Sequence, residues 1–208
     1  MRANITVPII GVILAGGLSR RMGGGDKGLR LLGGKSILRH VVDRVVPQVG
    51  RTILNANGDP GRFAEFGLPV VPDSLPDFPG PLAGVLAGMD WARANAAEAT
   101  HVATFAGDSP FVPRDLVARM AAEIPAAEIV SVRSAGQDYP IIGLWPVSLA
   151  DALRRAMVEE DMRKVDRWTA RYRLAVIDVA ADPVDPFFNA NAPADLDEAE
   201  RLLTLLKD

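Results

Sequence analysis

The sequence predicts an α/β fold, built as a doubly wound, mostly parallel sheet with an antiparallel edge strand. Predicted strands and helices alternate along the first half of the chain, and this order is typical of a parallel sheet covered by helices on both faces. The first strand is a continuous apolar run, as expected of a strand that is buried on both sides. A glycine-rich, basic stretch follows it directly, at the end of the sheet where such folds bind ligands.

Strands are predicted where short apolar, β-branched runs end in turn residues. They span residues 7–14, 51–57, 68–71, 101–106, 128–133, 139–145 and 174–179. The run at 139–145 is expected to be the antiparallel or edge strand. Helices are predicted from apolar residues at helical spacing, over residues 37–46, 82–94, 114–123, 148–160, 161–170 and 193–207, with a shorter helix in 58–67. We expect Ser36 to cap the first helix and Pro47 to end it.

Composition excludes several classes of protein. The chain has 208 residues, which suits a single domain over 1–208. It has no cysteine, which excludes disulfides, cysteine-ligated zinc and a thiol nucleophile. The net charge of −3 argues against a general nucleic-acid surface. The apolar run after Arg2 is short for a signal peptide, and no apolar stretch has the length of a membrane span. We therefore expect a cytoplasmic protein with no membrane partner.

The stretch from Gly11 to Gly28 carries the strongest functional signal. Six glycines between positions 16 and 28 leave the backbone bare, and Arg20, Arg21 and Lys27 add positive charge. Backbone N–H groups can approach an anion closely in such a loop, and the cations neutralise it. The stretch therefore predicts a phosphate-binding loop.

Two familiar phosphate motifs fit this stretch poorly. Gly23-x-Gly25-x-x-Gly28 matches the dinucleotide fingerprint by letter, but it begins too far beyond the first strand. Gly34-Lys35-Ser36 matches the end of a P-loop, but the glycine required at position 29 is Leu29. We interpret Gly33-Gly34 as a tight turn before the capped helix.

A third interpretation rests on Leu14-Ala15-Gly16-Gly17, followed by Arg21-Met22-Gly23 and Asp26-Lys27-Gly28. This pattern resembles the signature of nucleotidyltransferases. Further pieces lie in order: LNAN (54–57), PDSLPDFPGPLAG (72–84), GDSP (107–110), DYP (138–140) and NANAPADL (189–196). Together they resemble the MobA family of molybdenum cofactor guanylyltransferases, from about residue 9 to residue 203. The resemblance implies a Rossmann-like nucleotidyltransferase fold, with a nucleotide-binding half at about 7–112 and an acceptor-binding half at about 113–208.

The resemblance also implies roles for individual residues. The catalytic residues would be Arg21, Lys27 and Asp108, and Asp108 would hold Mg²⁺. A carboxylate at the carboxyl end of a parallel strand suits this task. The nucleotide would be bound by Leu14, Ala15, Gly16, Gly17, Lys27, Asn55, Asp73, Gly80 and Asp108. Asn189 and Asn191 would face the pterin acceptor, although asparagine in this position also caps helices.

The implied reaction transfers GMP from GTP to the phosphate of molybdopterin, which gives the guanine dinucleotide form and pyrophosphate. The implied partners are these two substrates, other cofactor-biosynthesis proteins and recipient molybdoenzymes. A cytidylyltransferase acting on the same pterin is an alternative, although that relative tends to carry alanine where this chain has Gly16. A nucleotide-binding accessory protein without turnover and a sugar-phosphate nucleotidyltransferase are the others.

Overall fold

The computed structural model describes residues 8–16, 26–75, 80–189 and 193–206. Its strands are β1 (Ile9–Leu14), β2 (Leu31–Leu32), β3 (Lys35–Ser36), β4 (Arg51–Asn55), β5 (Val70–Val71), β6 (His101–Ala106), β7 (Ile129–Ser134), β8 (Gln137–Pro146) and β9 (Leu174–Asp178). Its α-helices are α1 (Ile37–Val45), α2 (Pro81–Asn95), α3 (Leu116–Ala121), α4 (Ala150–Glu160), α5 (Val165–Thr169) and α6 (Pro193–Leu205). Short 3₁₀ helices cover Lys27–Leu29, Val46–Gln48, Pro60–Phe66 and Val147–Leu149.

Seven of these strands form one sheet in the order β5-β4-β1-β6-β8-β7-β9. Strand β1 lies in its middle and pairs in parallel with β4 on one side and β6 on the other. The sequence of β1, IIGVIL, is almost wholly buried, which explains why it is apolar along its whole length. The carboxyl ends of β1, β4 and β6 therefore meet at one edge of the sheet.

Helices cover both faces of this sheet, as the doubly wound class requires. One face packs against α1 and α3, and the other packs against α2, α4 and α5. A smaller apolar cluster lies beneath α6. Helix α1 begins as predicted, since Ser36 Oγ accepts a 3.2 Å hydrogen bond from the Arg39 N–H, and its α-helical part stops at Val45, just before Pro47.

The predicted fold class is confirmed, but the antiparallel strand lies inside the sheet and not at its edge. Strand β8 is antiparallel to both of its neighbours, β6 and β7. The chain reverses between β7 and β8 through a tight turn at Ala135-Gly136, where both residues have positive φ (48° and 78°), as a type I′ turn requires. Because β9 then pairs in parallel with β7, β9 is the edge strand.

The interpretation of Gly33-Gly34 as a turn is confirmed. Both glycines have positive φ (58° and 81°) and join β2 to β3 in a small hairpin, which the sequence did not predict. Gly34-Lys35-Ser36 thus belongs to a hairpin and not to a P-loop.

The positions of the other predicted elements hold, with shorter bounds in places. The strand at 101–106 matches to the residue, whereas the one at 68–71 shortens to Val70–Val71 and the helix at 161–170 to Val165–Thr169. None of the helices in the described ranges is long and apolar enough to cross a bilayer.

Candidate active site

The candidate site forms where β1, β4 and β6 end side by side. The Ala15 N–H donates a 2.9 Å hydrogen bond to the Asn55 carbonyl, and the Gly107 N–H donates one of 3.0 Å to the Leu14 carbonyl. The three strand ends are thus held together by backbone bonds. The Ala15 N–H is consequently engaged within the sheet, although the sequence suggested that it could face a phosphate.

Glycine lets two further backbone segments approach this edge. A Cβ on Gly107 would lie 2.9 Å from the Leu14 carbonyl oxygen, and one on Gly28 would lie 3.1 Å from the Gly107 carbonyl oxygen. No larger residue fits such distances without movement of the backbone. These glycines bring the segment that carries Lys27 against the segment that carries Asp108.

A small cavity of about 70 Å³ lies between these segments. Its walls include Leu14, Ala15, Asp26, Lys27, Phe63 and Asp108. Four of these, Leu14, Ala15, Lys27 and Asp108, are among the residues predicted from the sequence. The cavity therefore collects the phosphate-facing part of the predicted site at the carboxyl edge of the sheet, where α/β folds bind ligands.

Asp108 is half-buried, directly after β6. Burial is the largest influence on its carboxyl group and raises the pKa above its ordinary value. The positive charge of Lys27 and a hydrogen bond from the Asn189 side chain oppose this effect without cancelling it. The ionised carboxylate thus lies in surroundings that solvate it incompletely, and a further cation there would stabilise it.

Asn189 supplies a second oxygen beside that carboxylate. Because an ionised carboxylate can only accept hydrogen bonds, Asn189 faces Asp108 with its NH₂ group. Its Oδ1 is buried and has no hydrogen-bond partner within the part of the chain that the structure describes. Carboxylate and amide oxygens are hard ligands that suit Mg²⁺, which usually binds through one or two carboxylates plus substrate phosphates. In the described residues no three histidine, aspartate or glutamate side chains are grouped to hold a metal.

A second polar group lies at the ends of β4 and β5. Asn55 Nδ2 donates to Oδ1 of Asp73 at 3.0 Å, and Asn57 Nδ2 donates to the other carboxylate oxygen at 2.8 Å. The Asp73 N–H in turn donates to Asn57 Oδ1 at 2.9 Å. The Asp73 carboxylate is therefore fixed in orientation by two amides. Asn55 itself is buried, with 5% of its surface exposed.

Helix α2 begins beside this group. Gly80 precedes it with a φ of 138°, which favours glycine. One turn later, a Cβ on Gly84 would collide with Asn55 Oδ1 and lie 2.5 Å from Leu14 Cδ2. Asn55 and Asp73 are thus in contact, and Gly80 begins the helix that brings Gly84 against Asn55. In the strand order, β4 and β5 lie on the opposite side of β1 from β6, which Asp108 follows.

Three of the predicted site residues, Gly17, Arg21 and Asn191, lie outside the described residues. Gly16 is described, and a Cβ added there would have its closest neighbours at 3.8 Å. The packing of the described residues therefore does not itself require glycine at this position.

A family model for the MobA-like NTP transferase domain matches residues 11–174 of the chain. A molybdenum cofactor guanylyltransferase from Nitrobacter hamburgensis is 57% identical over 201 residues, which cover 95% of this chain and 96% of the relative. One from a Bradyrhizobium species is 51% identical over 207 residues, which cover 99% and 98%. The chain belongs to the MobA-like NTP transferase family.

Membership in the MobA-like NTP transferase family makes the chain a nucleotidyltransferase. Its fold is shared with a solved structure, the molybdopterin-guanine dinucleotide biosynthesis protein A from Archaeoglobus fulgidus. That structure superimposes with a TM-score of 0.73 at 22% identity, over 94% of this chain and 99% of the other. The likeness supports the MobA-like fold described above.

The candidate site also contains groups that the sequence did not single out. Asp26 and Phe63 line the cavity, and Asn57 holds Asp73. Asp26 and Asn57 lie within the motifs DKG and LNAN, so their positions could have been suspected. Nothing in the local sequence marks Arg62, which pairs with Asp26 across the fold.

Proposed function

We propose that this transferase moves GMP from GTP to the terminal phosphate of molybdopterin, which gives molybdopterin guanine dinucleotide and pyrophosphate. The observation that carries the proposal is the placement of Lys27 and the half-buried Asp108 in the walls of one cavity at the carboxyl edge of the sheet. The names of the relatives support guanine and the pterin as the substrates. Other cofactor-biosynthesis proteins and recipient molybdoenzymes stay proposed partners, and the cytoplasmic location stays a prediction from the sequence.

In this reaction the acceptor phosphate oxygen bonds to the α-phosphorus of GTP while the bond to the β-phosphate oxygen breaks. The electron pair leaves with pyrophosphate. Such transfers are accelerated mainly by positioning the reactants and neutralising their charge. We assign charge neutralisation to Lys27, and to Arg21 by the resemblance alone. The Asp108 carboxylate and the buried amide oxygen of Asn189 fit a magnesium ion, which when bound would offset the negative charge of the phosphates.

The positions of the two histidines agree with a reaction that uses no histidine as a general base. His40 shares a 2.8 Å hydrogen bond with the Leu32 carbonyl, and His101 lies at the amino end of β6, opposite the cavity. A terminal phosphate is already largely ionised near neutral pH, so its attack requires no proton acceptor. The absence of histidine from the cavity walls agrees with a phosphate nucleophile.

We propose that the two ends of the site divide the substrates. The group around Asn55, Asp73 and Gly80 would bind the nucleoside, and the Lys27–Asp108 cavity would hold its phosphates. Asn189, beside Asp108, and Asn191 would face the pterin acceptor by the resemblance. This matches the predicted division into an amino-terminal nucleotide half and a carboxyl-terminal acceptor half.

The proposal is tested by measuring pyrophosphate release with Mg²⁺ and molybdopterin, with GTP, CTP, ATP and UTP offered separately. We expect release with GTP, and its loss in Asp108→Asn. Asp43→Asn serves as the matched control, because Asp43 pairs with Lys35 on the surface at 3.3 Å. Release with CTP alone would make the protein a cytidylyltransferase. GTP binding without any release would identify a nucleotide-binding accessory protein.

A further inference from the structure

Asp26 carries a nearly buried charge next to Lys27. Only 7% of its side chain is exposed. Arg62 Nη1 lies 2.9 Å from one carboxylate oxygen and 3.1 Å from the other. A buried carboxylate is costly unless it is paired, so Arg62 stabilises Asp26 where it borders the cavity.

The other donors of Arg62 are directed at a different segment. Its Nε donates to the Asp59 carbonyl at 3.0 Å, and its Nη2 donates to the Asn57 carbonyl at 2.6 Å. The guanidinium also lies 5.0 Å from the centre of the Phe63 ring, and Phe63 lines the cavity. Since the guanidinium is planar and rigid, these contacts fix one segment relative to the other.

Asn57 continues this connection to the nucleoside end of the site. Its side chain exchanges two hydrogen bonds with Asp73, as described above. A continuous path therefore runs from Asp26 through Arg62 and Asn57 to Asp73. It joins the two groups of site residues, which are far apart along the chain.

We propose that Arg62 is a positioning residue that sets the distance between the phosphate end and the nucleoside end of the site. It acts on Lys27 through Asp26 and on Asp73 through Asn57, and it touches no reacting atom. The inference rests on the proposed function, because it takes GTP to be the ligand that spans both ends. A nucleotide must meet both ends at once, so a change in their spacing weakens its binding.

The kinetic test compares Arg62→Ala and Arg62→Lys with the wild type. We expect Arg62→Ala to raise the KM for GTP roughly tenfold to a hundredfold, as the loss of charged hydrogen bonds implies, and to leave the KM for molybdopterin unchanged. Arg62→Lys restores the charge but not the planar fork, so it should recover part of the loss. Equal rises in both KM values, or none, would overturn the proposal.

Arg39→Ala is the matched control. Arg39 lies on α1 and contacts the 3₁₀ helix that carries Arg62. It lies 4.9 Å from the ring centre of Phe66 and donates to the Glu65 carbonyl at 2.8 Å. It lacks any hydrogen bond or ion pair to Asp26 or Asn57 among the described residues. Its removal should leave the KM for GTP unchanged. A rise in the KM for GTP equal to that of Arg62→Ala would assign the effect to general loosening of the 3₁₀ helix Pro60–Phe66.

Two further measurements cover the cases in which Arg62→Ala is unstable or GTP is the wrong substrate. Asp26→Asn combined with Arg62→Ala leaves no unpaired buried charge, so the double variant should fold and still bind GTP weakly. Hydrogen exchange of the ligand-free protein should show faster exchange at residues 26–30 and 56–58 in Arg62→Ala than in Arg39→Ala. Unchanged exchange there would overturn the proposal whatever the substrate. Failure of the wild type to release pyrophosphate would instead count against the proposed function.

Discussion

Asn55 donates a 3.0 Å hydrogen bond from its side-chain amide to Asp73 at the ends of two neighbouring parallel strands. The same amide nitrogen donates to the Val71 carbonyl at 3.1 Å, so both of its hydrogens are used. Asp73 is thus held in place by the last residue of β4. A carboxylate that is fixed in this way presents its remaining lone pairs in one direction, where they can accept hydrogen bonds from a nucleoside.

Asp73→Asn should weaken GTP binding about tenfold or more, because charged hydrogen bonds are worth more than neutral ones. An amide at this position would also turn a donor towards Asn55 or Asn57. Isothermal titration calorimetry of GTP binding measures the effect, with Asp43→Asn as the control on the surface. Unchanged affinity for GTP would show that Asp73 serves only the local structure.

Gly84→Ala should destabilise the protein by about 1–3 kcal/mol, the usual cost of overpacking a well-packed interior. The new methyl group would collide with Asn55 Oδ1 and lie 2.5 Å from Leu14 Cδ2. Gly50→Ala is the control, because a Cβ there has no neighbour within 4 Å among the described residues and the φ of Gly50 is not in the left-handed region. Thermal unfolding of both variants gives the comparison, and equal Tm values would contradict the packing argument.

Local patterns predicted the part of the site that depends on single strands. Strand β6 and the position of Asp108 after it follow from one apolar run and the rule that ligands bind at carboxyl ends of parallel strands. The glycines around Lys27 in the sequence predict a phosphate-binding role for it, and the structure places Lys27 in the wall of the cavity. These features need no knowledge of distant partners.

Features that depend on distant partners could not be predicted. Strand β8 lies inside the sheet because it pairs with β6 and β7 at the same time, and its own sequence reads equally well as an edge strand. The hydrogen bond between Asn189 and Asp108, like the pairing of Arg62 with Asp26, joins residues far apart in the chain. When the fold decides which distant residue a side chain contacts, the neighbouring sequence does not predict that contact.

Asp108→Asn should abolish turnover and yet raise the Tm at neutral pH. Folding raises the pKa of Asp108, chiefly through burial, so the folded protein binds this proton more tightly than the unfolded chain does. The ionised carboxylate consequently lowers the stability of the wild type at neutral pH. Thermal unfolding at several pH values, without divalent cations, should show a gain in the variant that shrinks as the pH falls through the raised pKa. A lower Tm for the variant at pH 7 would mean that the pair with Lys27 outweighs burial.

Tyr139 links alkaline stability to the loop that carries Asn189. Its hydroxyl donates a 2.9 Å hydrogen bond to Asp185 Oδ2, and Asp185 Oδ1 accepts from the Phe187 N–H at 3.0 Å. Burial and the Asp185 carboxylate raise the pKa of Tyr139 to about 12. The unfolded chain loses this proton near pH 10, its ordinary pKa. The stabilisation from Tyr139 is therefore complete below pH 10 and is lost as the pH rises towards 12.

Tyr139→Phe tests the contribution of the hydroxyl apart from that of the ring. The ring centres of Tyr139 and Phe187 lie 5.0 Å apart, and phenylalanine can keep this packing. The wild type should be more stable than the variant at neutral pH, and this advantage should shrink as the pH rises from 10 towards 12. The pKa of Tyr139 is measured from the phenolate absorbance during an alkaline titration. Since the chain has two tyrosines, the absorbance that each single variant loses belongs to one residue. Tyr172→Phe is the matched control. Titration of Tyr139 near pH 10 in the folded protein would contradict the bond to Asp185.

Because that bond holds the segment leading to Asn189, Tyr139→Phe should also raise the KM for molybdopterin more than the KM for GTP.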